Sequence, residues 1–268
     1  MLEAAEKAIY ALPTTALDIV GREEVIGEIC QRVADRFVSI VGPGGIGKTT
    51  VAVSVANRLL KDFKGAVCFL ELGAVAGSHL IDQKIAAAFG LPVHSGDPIP
   101  ELISHLRGKR TLLILDSCEH VLAKVAGLAD RLVRHAPELC ILATSREALG
   151  PGVEYILRLP PLESPPDSPN VTAAFATAFP AVELFAKRAA GAGARVAVTD
   201  DVAGLVADMC RKLGGLPLAI ELVAAQVSDH GVTRDGSPPR QSVCSAVAWA
   251  THGAPASSHN QRDSRLEL

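Results

Sequence analysis

Five short runs of apolar residues recur along the first 160 positions, and segments with helical periodicity separate them. The runs are almost continuously apolar instead of alternating, which is typical of strands buried on both faces of a parallel sheet. They predict strands over Phe37–Val41, Ala66–Leu72, Thr111–Leu115, Leu139–Thr144 and Tyr155–Leu159. The intervening periodicity predicts helices over Arg22–Arg36, Thr49–Leu60, Ser78–Phe89, Ile99–Leu106 and Val121–His135. Alternation of strands and helices indicates an α/β, doubly wound fold.

The pattern changes after the fifth run. Residues 160–169 read PPLESPPDSP, a proline-rich connector through which neither a helix nor a central strand can persist. Beyond it, helical periodicity predicts a small all-α subdomain, with helices over Ala173–Ala190, Asp200–Leu213 and Leu216–Val227. From Asp229 onward bulky aliphatic residues become scarce, which predicts a disordered tail over 229–268.

The segment between the first strand and the next helix carries a clear chemical signature. Residues 42–49 read GPGGIGKT, the pattern G-x-x-x-x-G-K-[ST] of a phosphate-binding loop in the strand-to-helix context that it requires. Glycines allow successive backbone N–H groups to converge on an oxyanion. Lys48 adds a positive charge for the β- and γ-phosphates, and the Thr49 hydroxyl can bind the accompanying Mg²⁺. The alternative is a glycine-rich turn that binds nothing, which the flanking elements disfavour.

An acidic residue follows the third apolar run. Asp116 stands at the carboxyl end of the predicted strand, the edge of an open α/β sheet at which ligands bind. We predict that it holds Mg²⁺ directly or through water, although an aspartate in this position can also cap a helix. Many related sites place a second acid next, where this chain has Ser117. Glu119 could position the attacking water or cap the following helix, so binding is predicted and fast hydrolysis is not.

A basic residue follows the fourth run. Arg146 could sense the γ-phosphate and stabilise charge during its transfer, and the alternative is an exposed surface arginine. His120 and His135 are predicted to lie on helix surfaces, because no other histidine or cysteine stands at metal-ligand spacing from them.

Six motifs occur in one order along the chain. They are VGRE at 20–23, GPGGIGKTT at 42–50, LLILDSCEH at 112–120, ATSREALG at 143–150, AVELFAKRA at 181–189 and GGLPLA at 214–219. This series resembles the NB-ARC-type ATPase module of the STAND class. It is similar in particular to the ATPase modules of bacterial transcriptional regulators with LuxR-type, SARP-type or winged-helix output domains. The resemblance covers residues 18 to about 227 and implies a P-loop NTPase with a five-stranded parallel sheet, the phosphate-loop strand central, followed by a helical lid.

The resemblance also implies roles for single residues. Asp116 and Thr49 would hold Mg²⁺, Arg146 would act as the sensor, and Pro217 would contact the base or ribose from the lid. The adenine end of the nucleotide would lie against Val20, Gly21 and Arg22, and its phosphates against Gly42, Gly44, Gly45, Ile46, Gly47, Lys48, Thr49 and Thr50. The predicted organisation is an N-terminal extension (1–17), a nucleotide-binding domain (18–160), a hinge (161–170), a helical lid (171–228) and the tail (229–268).

Proteins of this class resemble switches more than turnover enzymes. ADP would hold a closed form, and exchange for ATP would permit opening and self-association. We therefore expect a slowly hydrolysing, Mg²⁺-dependent switch that binds ATP and ADP. One alternative is a genuine ATPase coupled to remodelling. Another is a truncated and inert fragment, because the family pattern continues beyond the lid with segments that 229–268 do not resemble.

Composition bears on the partners and the cellular compartment of the protein. The chain has 268 residues, a formal net charge of −3 and a pI near 6.2, so we expect no direct nucleic-acid binding. Its six cysteines are dispersed without a C-x-x-C pair, which favours a reducing compartment. The sequence has neither a signal-peptide pattern nor a run of about 18 apolar residues, so we expect a cytoplasmic protein without a membrane span.

Overall fold

All five predicted strands form, and they pair in parallel in one sheet. Every residue of the first and third strands is buried, which is why their sequences are apolar throughout. The strands are β1 Phe37–Val41, β2 Val67–Glu71, β3 Thr111–Asp116, β4 Leu139–Ser145 and β5 Tyr155–Arg158, in the spatial order β2-β3-β4-β1-β5.

The computed structural model describes residues 12–13, 18–75, 77, 80–92, 96–150, 154–191 and 198–231, the last five as backbone only. The chain divides into two units, Met1–Pro160 and Pro161–Leu268, which are described in turn. Most of the predicted N-terminal extension, and the predicted tail beyond 231, lie outside the described residues.

The helices of the first unit begin and end within two residues of most predicted bounds. They are α1 Glu23–Arg32, α2 Lys48–Leu59, α3 Leu80–Ala88, α4 Ile99–Leu106 and α5 Leu122–His135. The first predicted helix is too long by one turn: Val33–Asp35 form a 3₁₀ turn, and Arg36 takes a left-handed φ of 71°. The Arg36 guanidinium donates to the carbonyls of Val133 and Ala136 at the end of α5, where the last carbonyls have no partner within the helix.

Helices cover both faces of the sheet, as a doubly wound fold requires. In β3, Leu113 and Leu115 belong to the apolar cluster beneath α3, α4 and α5. Their neighbours Leu112 and Ile114 are equally buried but lie outside that cluster. Because successive side chains of a strand point to opposite faces, this second set lies on the face that α2 covers.

The position of the phosphate-loop strand corrects one expectation. The resemblance implies that β1 is central, yet β4 is the middle strand and β1 is fourth of five. β1 is nevertheless paired on both sides, with Val38 aligned to Leu142 of β4 and to Tyr155 of β5. The carboxyl end of β1 therefore lies beside the carboxyl end of β4.

The second unit is helical, as predicted, with one correction. The structure contains α6 Ala173–Thr177, α7 Pro180–Gly191, α8 Asp200–Lys212 and α9 Pro217–Gly231. The prediction of a single helix over Ala173–Ala190 is wrong, because the helix is interrupted before Pro180. Proline has no N–H to donate to the preceding turn, and it restricts the backbone of the residue before it. α9 also extends three residues into the segment that the sequence predicts to be disordered.

The proline-rich connector is bonded to the helices of the second unit. The Leu162 N–H donates to the Gly215 carbonyl at 2.9 Å, and the Ala181 N–H donates to the Glu163 carbonyl at 3.0 Å. The Arg211 guanidinium donates to the carbonyl of Pro165 at 3.2 Å. The hinge role of 161–170 stays a prediction.

Candidate functional site

The phosphate loop joins β1 to α2 in a conformation that depends on glycine. Gly45 and Gly47 have φ values of 77° and 94°, which a residue with a Cβ adopts only with strain. A Cβ on Gly42 would meet the buried Ile46 side chain at 3.2 Å. α2 begins directly after Gly47 without a side-chain cap, so its first backbone N–H groups can bind an anion.

Lys48 lies over this loop. Its ammonium group donates to the carbonyl of Gly42 at 2.8 Å and to that of Pro43 at 3.0 Å. Burial lowers the pKa of Lys48, and the nearby Glu119 carboxylate opposes that shift. The cation is thus held at the loop by carbonyl dipoles, at a position from which it can bind phosphate oxygens.

Asp116 and Thr49 meet beside the loop. The Thr49 hydroxyl lies 2.9 Å from Oδ1 and 3.0 Å from Oδ2 of Asp116, whose side chain is buried at the end of β3. Hydroxyl and carboxylate oxygens are ligands that Mg²⁺ accepts, and Mg²⁺ at nucleotide sites takes its other ligands from phosphate and water. These two residues therefore fit a nucleotide-bound Mg²⁺. Neither the 3₁₀ turn that follows Asp116 nor α5 has a side-chain cap, so Asp116 does not act as a helix cap.

Arg146 and Glu119 form a pair next to the same loop. Arg146 Nε lies 3.5 Å from Glu119 Oε1, and a Cβ on Gly44 would lie 3.8 Å from the Arg146 guanidinium. The Arg146 side chain is 62% exposed, whereas Glu119 Oε2 is buried and has no hydrogen-bond partner among the described residues. Glu119 stands in a 3₁₀ turn, Cys118–His120, and does not cap α5, so that alternative is wrong.

The sequence did not single out Thr144, which belongs to the site. Thr144 lies on β4 and is 1% exposed; its hydroxyl donates to Asp116 Oδ1 at 2.6 Å and accepts from the Ser117 N–H at 2.9 Å. Ser117 takes a left-handed φ of 61°, and Gly73 makes room for it, since a Cβ there would lie 3.2 Å from the Ser117 Cβ. The sequence does show a threonine at the end of a predicted buried strand, which could have marked it as a site residue. Only the strand order, however, places this threonine beside Asp116.

Cys118 follows Ser117 and is fully buried. Burial, with the negative charge of Asp116 next in effect, raises the pKa of the Cys118 thiol to about 12. It is therefore a protonated apolar side chain at neutral pH and not a nucleophile.

The VGRE segment is bonded to the phosphate loop. Val20 is buried and Gly21 has a φ of 64°. The buried Arg22 guanidinium donates to the Pro160 carbonyl at 2.6 Å and to the Ile46 carbonyl at 3.2 Å. Burial lowers the pKa of Arg22. Arg22 thus connects the phosphate loop to the last residue of the first unit, while its role toward adenine stays a prediction.

The other predicted residues are placed as follows. Thr50 is exposed in the first turn of α2, and Pro217 is the first residue of α9 in the second unit. His120 and His135 are exposed, in agreement with a surface position. Within the described ranges, no group of three or more His, Cys, Asp or Glu side chains could hold a metal ion. No helix in the same ranges is long and apolar enough to cross a bilayer.

Three features together define the fold of a P-loop NTPase. They are the glycine-rich loop between a buried strand and a helix, the acid at the end of β3, and the five-stranded parallel sheet that carries both. A solved structure of a Signal Transduction ATPase with Numerous Domains (STAND) protein, which has a tetratricopeptide-repeat sensor and comes from Pyrococcus horikoshii, has a similar fold. The TM-score is 0.51 and the identity 14%, over 77% of this chain and 30% of that one.

The family model of the NB-ARC domain matches residues 21–146, from the VGRE segment through Arg146. Residues 21–146 thus match the NB-ARC family, in agreement with the resemblance that the motif series carries.

Two relatives extend the likeness beyond this range. An uncharacterised protein of Mycobacterium tuberculosis is 32% identical over 250 residues, which cover 86% of this chain and 60% of the relative. A candidate HTH-type transcriptional regulator of the same organism is 35% identical over 194 residues, covering 72% of this chain and 20% of the relative. The chain thus spans about 60% of the length of the first relative and about a fifth of the second.

Proposed function

We propose that this chain is a nucleotide-dependent regulatory switch that binds ADP and ATP with Mg²⁺ and hydrolyses ATP slowly. The observation that carries the proposal is the convergence of Lys48, Thr49 and Asp116 on one loop. A cation at 2.8 Å from a loop carbonyl and a hydroxyl at 2.9 Å from a buried carboxylate provide separate partners for phosphate and for metal.

The regulatory part of the proposal draws on the relatives. One of them is described as a candidate HTH-type transcriptional regulator, and it is much longer than this chain. We infer that the module changes state with the bound nucleotide and transmits that state to other parts of such a regulator. Self-association in the ATP-bound state is part of this proposal. ATP can shift the equilibrium between the closed and open states only if its γ-phosphate binds one of the two states more tightly than the other.

Slow hydrolysis is proposed because of the residue that follows Asp116. Ser117 stands where many related sites have a second acid, and a serine cannot act as a general base near neutral pH. Its backbone N–H is held by Thr144 and its hydroxyl lies 3.4 Å from Asp116 Oδ2. Ser117 therefore supports the metal-binding carboxylate instead of activating water.

Titration calorimetry with ADP and MgCl₂ tests nucleotide binding. We expect a dissociation constant in the micromolar range, about −8 kcal/mol, and a loss of at least about tenfold in the Lys48→Ala variant. Lys61→Ala removes the same charge from an exposed position outside the loop and should bind as the wild type does. Equal affinities for the wild type and Lys48→Ala would contradict the proposal. Competition with GTP measures the preference for adenine.

A second candidate is an ATPase that couples turnover to remodelling. The Arg146–Glu119 pair favours it, because Glu119 has a buried oxygen without a described partner close to the loop. This candidate predicts phosphate release on the order of 1 s⁻¹, the lower end of common enzyme turnover, with Glu119→Gln reducing the rate but not ADP affinity. Much slower release, unchanged in Glu119→Gln, would favour the switch.

A further inference from the structure

We infer that Thr144 is a positioning residue for the metal site: its hydroxyl fixes the Asp116 carboxylate in the orientation that binds a nucleotide-bound Mg²⁺. The inference rests on the proposed nucleotide-binding function. The Thr144 hydroxyl joins two features of the site, since it lies 2.6 Å from Asp116 Oδ1 and 2.9 Å from the Ser117 nitrogen.

The direction of both hydrogen bonds follows from the chemistry of the groups. The Ser117 backbone N–H can only donate, so the Thr144 oxygen accepts that bond. An ionised carboxylate can only accept, so the single Thr144 proton points to Asp116 Oδ1. Thr144 thus cannot turn its proton elsewhere without leaving a buried carboxylate oxygen less satisfied, which has a free-energy cost.

The strand order explains why Thr144 can act independently of the phosphate loop. β4 lies between β3, which carries Asp116, and β1, which leads into the loop. The Thr49 hydroxyl also reaches Asp116, but Thr49 is itself a proposed metal ligand. Thr144 is buried on a strand paired on both sides, so its bond to Asp116 can persist when the Thr49 oxygen binds the cation.

The same hydroxyl supports an unusual backbone conformation. Ser117 has a φ of 61°, a left-handed region that residues with a Cβ adopt only with strain. Its N–H is held in that conformation by Thr144, and its side-chain hydroxyl lies 3.4 Å from Asp116 Oδ2. Thr144 and Ser117 therefore contact different oxygens of one carboxylate and restrict its rotation from both sides. Outer-shell partners of this kind typically change metal affinity 10- to 100-fold.

The test compares the Mg²⁺ dependence of ADP binding in three forms of the full chain: the wild type, Thr144→Val and Thr144→Ser. ADP affinity is measured by calorimetry in EDTA and at increasing MgCl₂. We expect Thr144→Val to weaken the apparent Mg²⁺ affinity of the ADP complex roughly 10-fold or more, with ADP affinity in EDTA close to that of the wild type. Thr144→Ser keeps the hydroxyl and should restore the Mg²⁺ dependence.

Each other outcome has a distinct meaning. Wild-type Mg²⁺ dependence in Thr144→Val, or no Mg²⁺ effect in the wild type, would overturn the inference and leave ADP binding intact. An equal loss in EDTA and in MgCl₂ would show a merely structural role and would also overturn it. No ADP binding by the wild type would overturn the proposed function together with the inference. If Thr144→Val does not fold, Thr144→Ala gives the same comparison, because it too removes the hydroxyl.

Discussion

The Thr49 hydroxyl donates to the carboxylate of Asp116, at 2.9 Å from one oxygen and 3.0 Å from the other, although the two residues are 67 positions apart in sequence. Thr49 belongs to the first turn of α2, directly after the phosphate loop, and Asp116 ends β3. Neither residue can bind Mg²⁺ as part of a pair unless the sheet brings these ends together. This contact therefore brings the two proposed Mg²⁺ ligands together in the folded chain.

Replacing Thr49 by valine should remove the Mg²⁺-dependent part of nucleotide affinity. The methyl group that replaces the hydroxyl cannot bind a cation, whereas the backbone N–H groups of α2 remain. We expect ADP affinity in MgCl₂ to fall at least about tenfold, or 1.4 kcal/mol, and to be nearly unchanged in EDTA. Calorimetry of Thr49→Val beside Thr49→Ser, which keeps the hydroxyl, measures this. A similar loss in both variants would argue against a metal role for the hydroxyl.

Truncating Arg22 should destabilise the first unit. Its buried guanidinium donates to the carbonyls of Pro160 and Ile46, and hydrogen bonds to a charged group typically contribute about 1.5–3 kcal/mol. Arg22→Ala leaves both carbonyls without this donor, so we expect the free energy of unfolding to fall by about 2–4 kcal/mol. Urea denaturation measures it.

The exposed Arg134 provides the control for Arg22. It pairs with Asp130 at the surface, at 2.9 Å, and such pairs contribute about 1 kcal/mol or less. Arg134→Ala should therefore have a small effect. Equal losses of stability in the two alanine variants would mean that the Arg22 hydrogen bonds do not stabilise the phosphate loop as described.

Gly215 and Gly214 form a matched pair for testing the second unit. Both have a left-handed φ, 64° and 62°, so alanine at either position is strained by roughly 1–2 kcal/mol. Only at Gly215 would a Cβ also meet another group, the Leu162 carbonyl oxygen at 2.1 Å. We expect Gly215→Ala to lower the free energy of unfolding by about 1–3 kcal/mol more than Gly214→Ala. Equal effects would contradict the close approach of the connector to Gly215.

The stability that Asp97 provides should depend on pH. Its carboxylate accepts from the Ile99 N–H at 3.0 Å, at the start of α4, and lies 3.0 Å from the Arg131 guanidinium. These contacts, the backbone N–H first, lower the pKa of Asp97 below its ordinary value of 3.8. A lowered folded-state pKa means that the stabilisation is complete above 3.8 and is lost as pH falls through the folded-state pKa.

The Asp97→Ala variant tests the direction of this pH dependence of stability. At neutral pH we expect the free energy of unfolding to fall by about 1 kcal/mol, the usual net contribution of one side-chain hydrogen bond. Urea titrations from about pH 7 down to about pH 3 should show the difference between the wild type and Asp97→Ala narrowing at the acidic end. A difference that is constant or grows toward acid would contradict the assigned contacts.

The sequence predicted the strands well because burial on both faces leaves an unambiguous pattern. β1 matches its predicted bounds, and Lys48, Thr49 and Asp116 were predicted from spacing and position alone. These residues belong to motifs in which local sequence and local structure agree. Pro180 shows the converse: periodicity predicted one helix through it, and the missing N–H divides that helix in two.

Other features depended on which strands lie side by side. Thr144 is an ordinary residue in its own segment, and it becomes part of the site only because β4 pairs with β3. The Arg36 side chain likewise contacts the end of α5, about 100 positions further along the chain. Contacts of this kind depend on tertiary topology, and periodicity, which reports only local structure, does not contain them.

The most direct test of the central claim is to determine the nucleotide that the purified chain carries. The protein is denatured, the released small molecules are separated by chromatography, and their amount is compared with that of the protein. We predict ADP or ATP in near-stoichiometric amount, and its loss in Lys48→Ala. An empty site, together with no thermal shift on adding Mg²⁺ with ADP or ATP, would contradict the account.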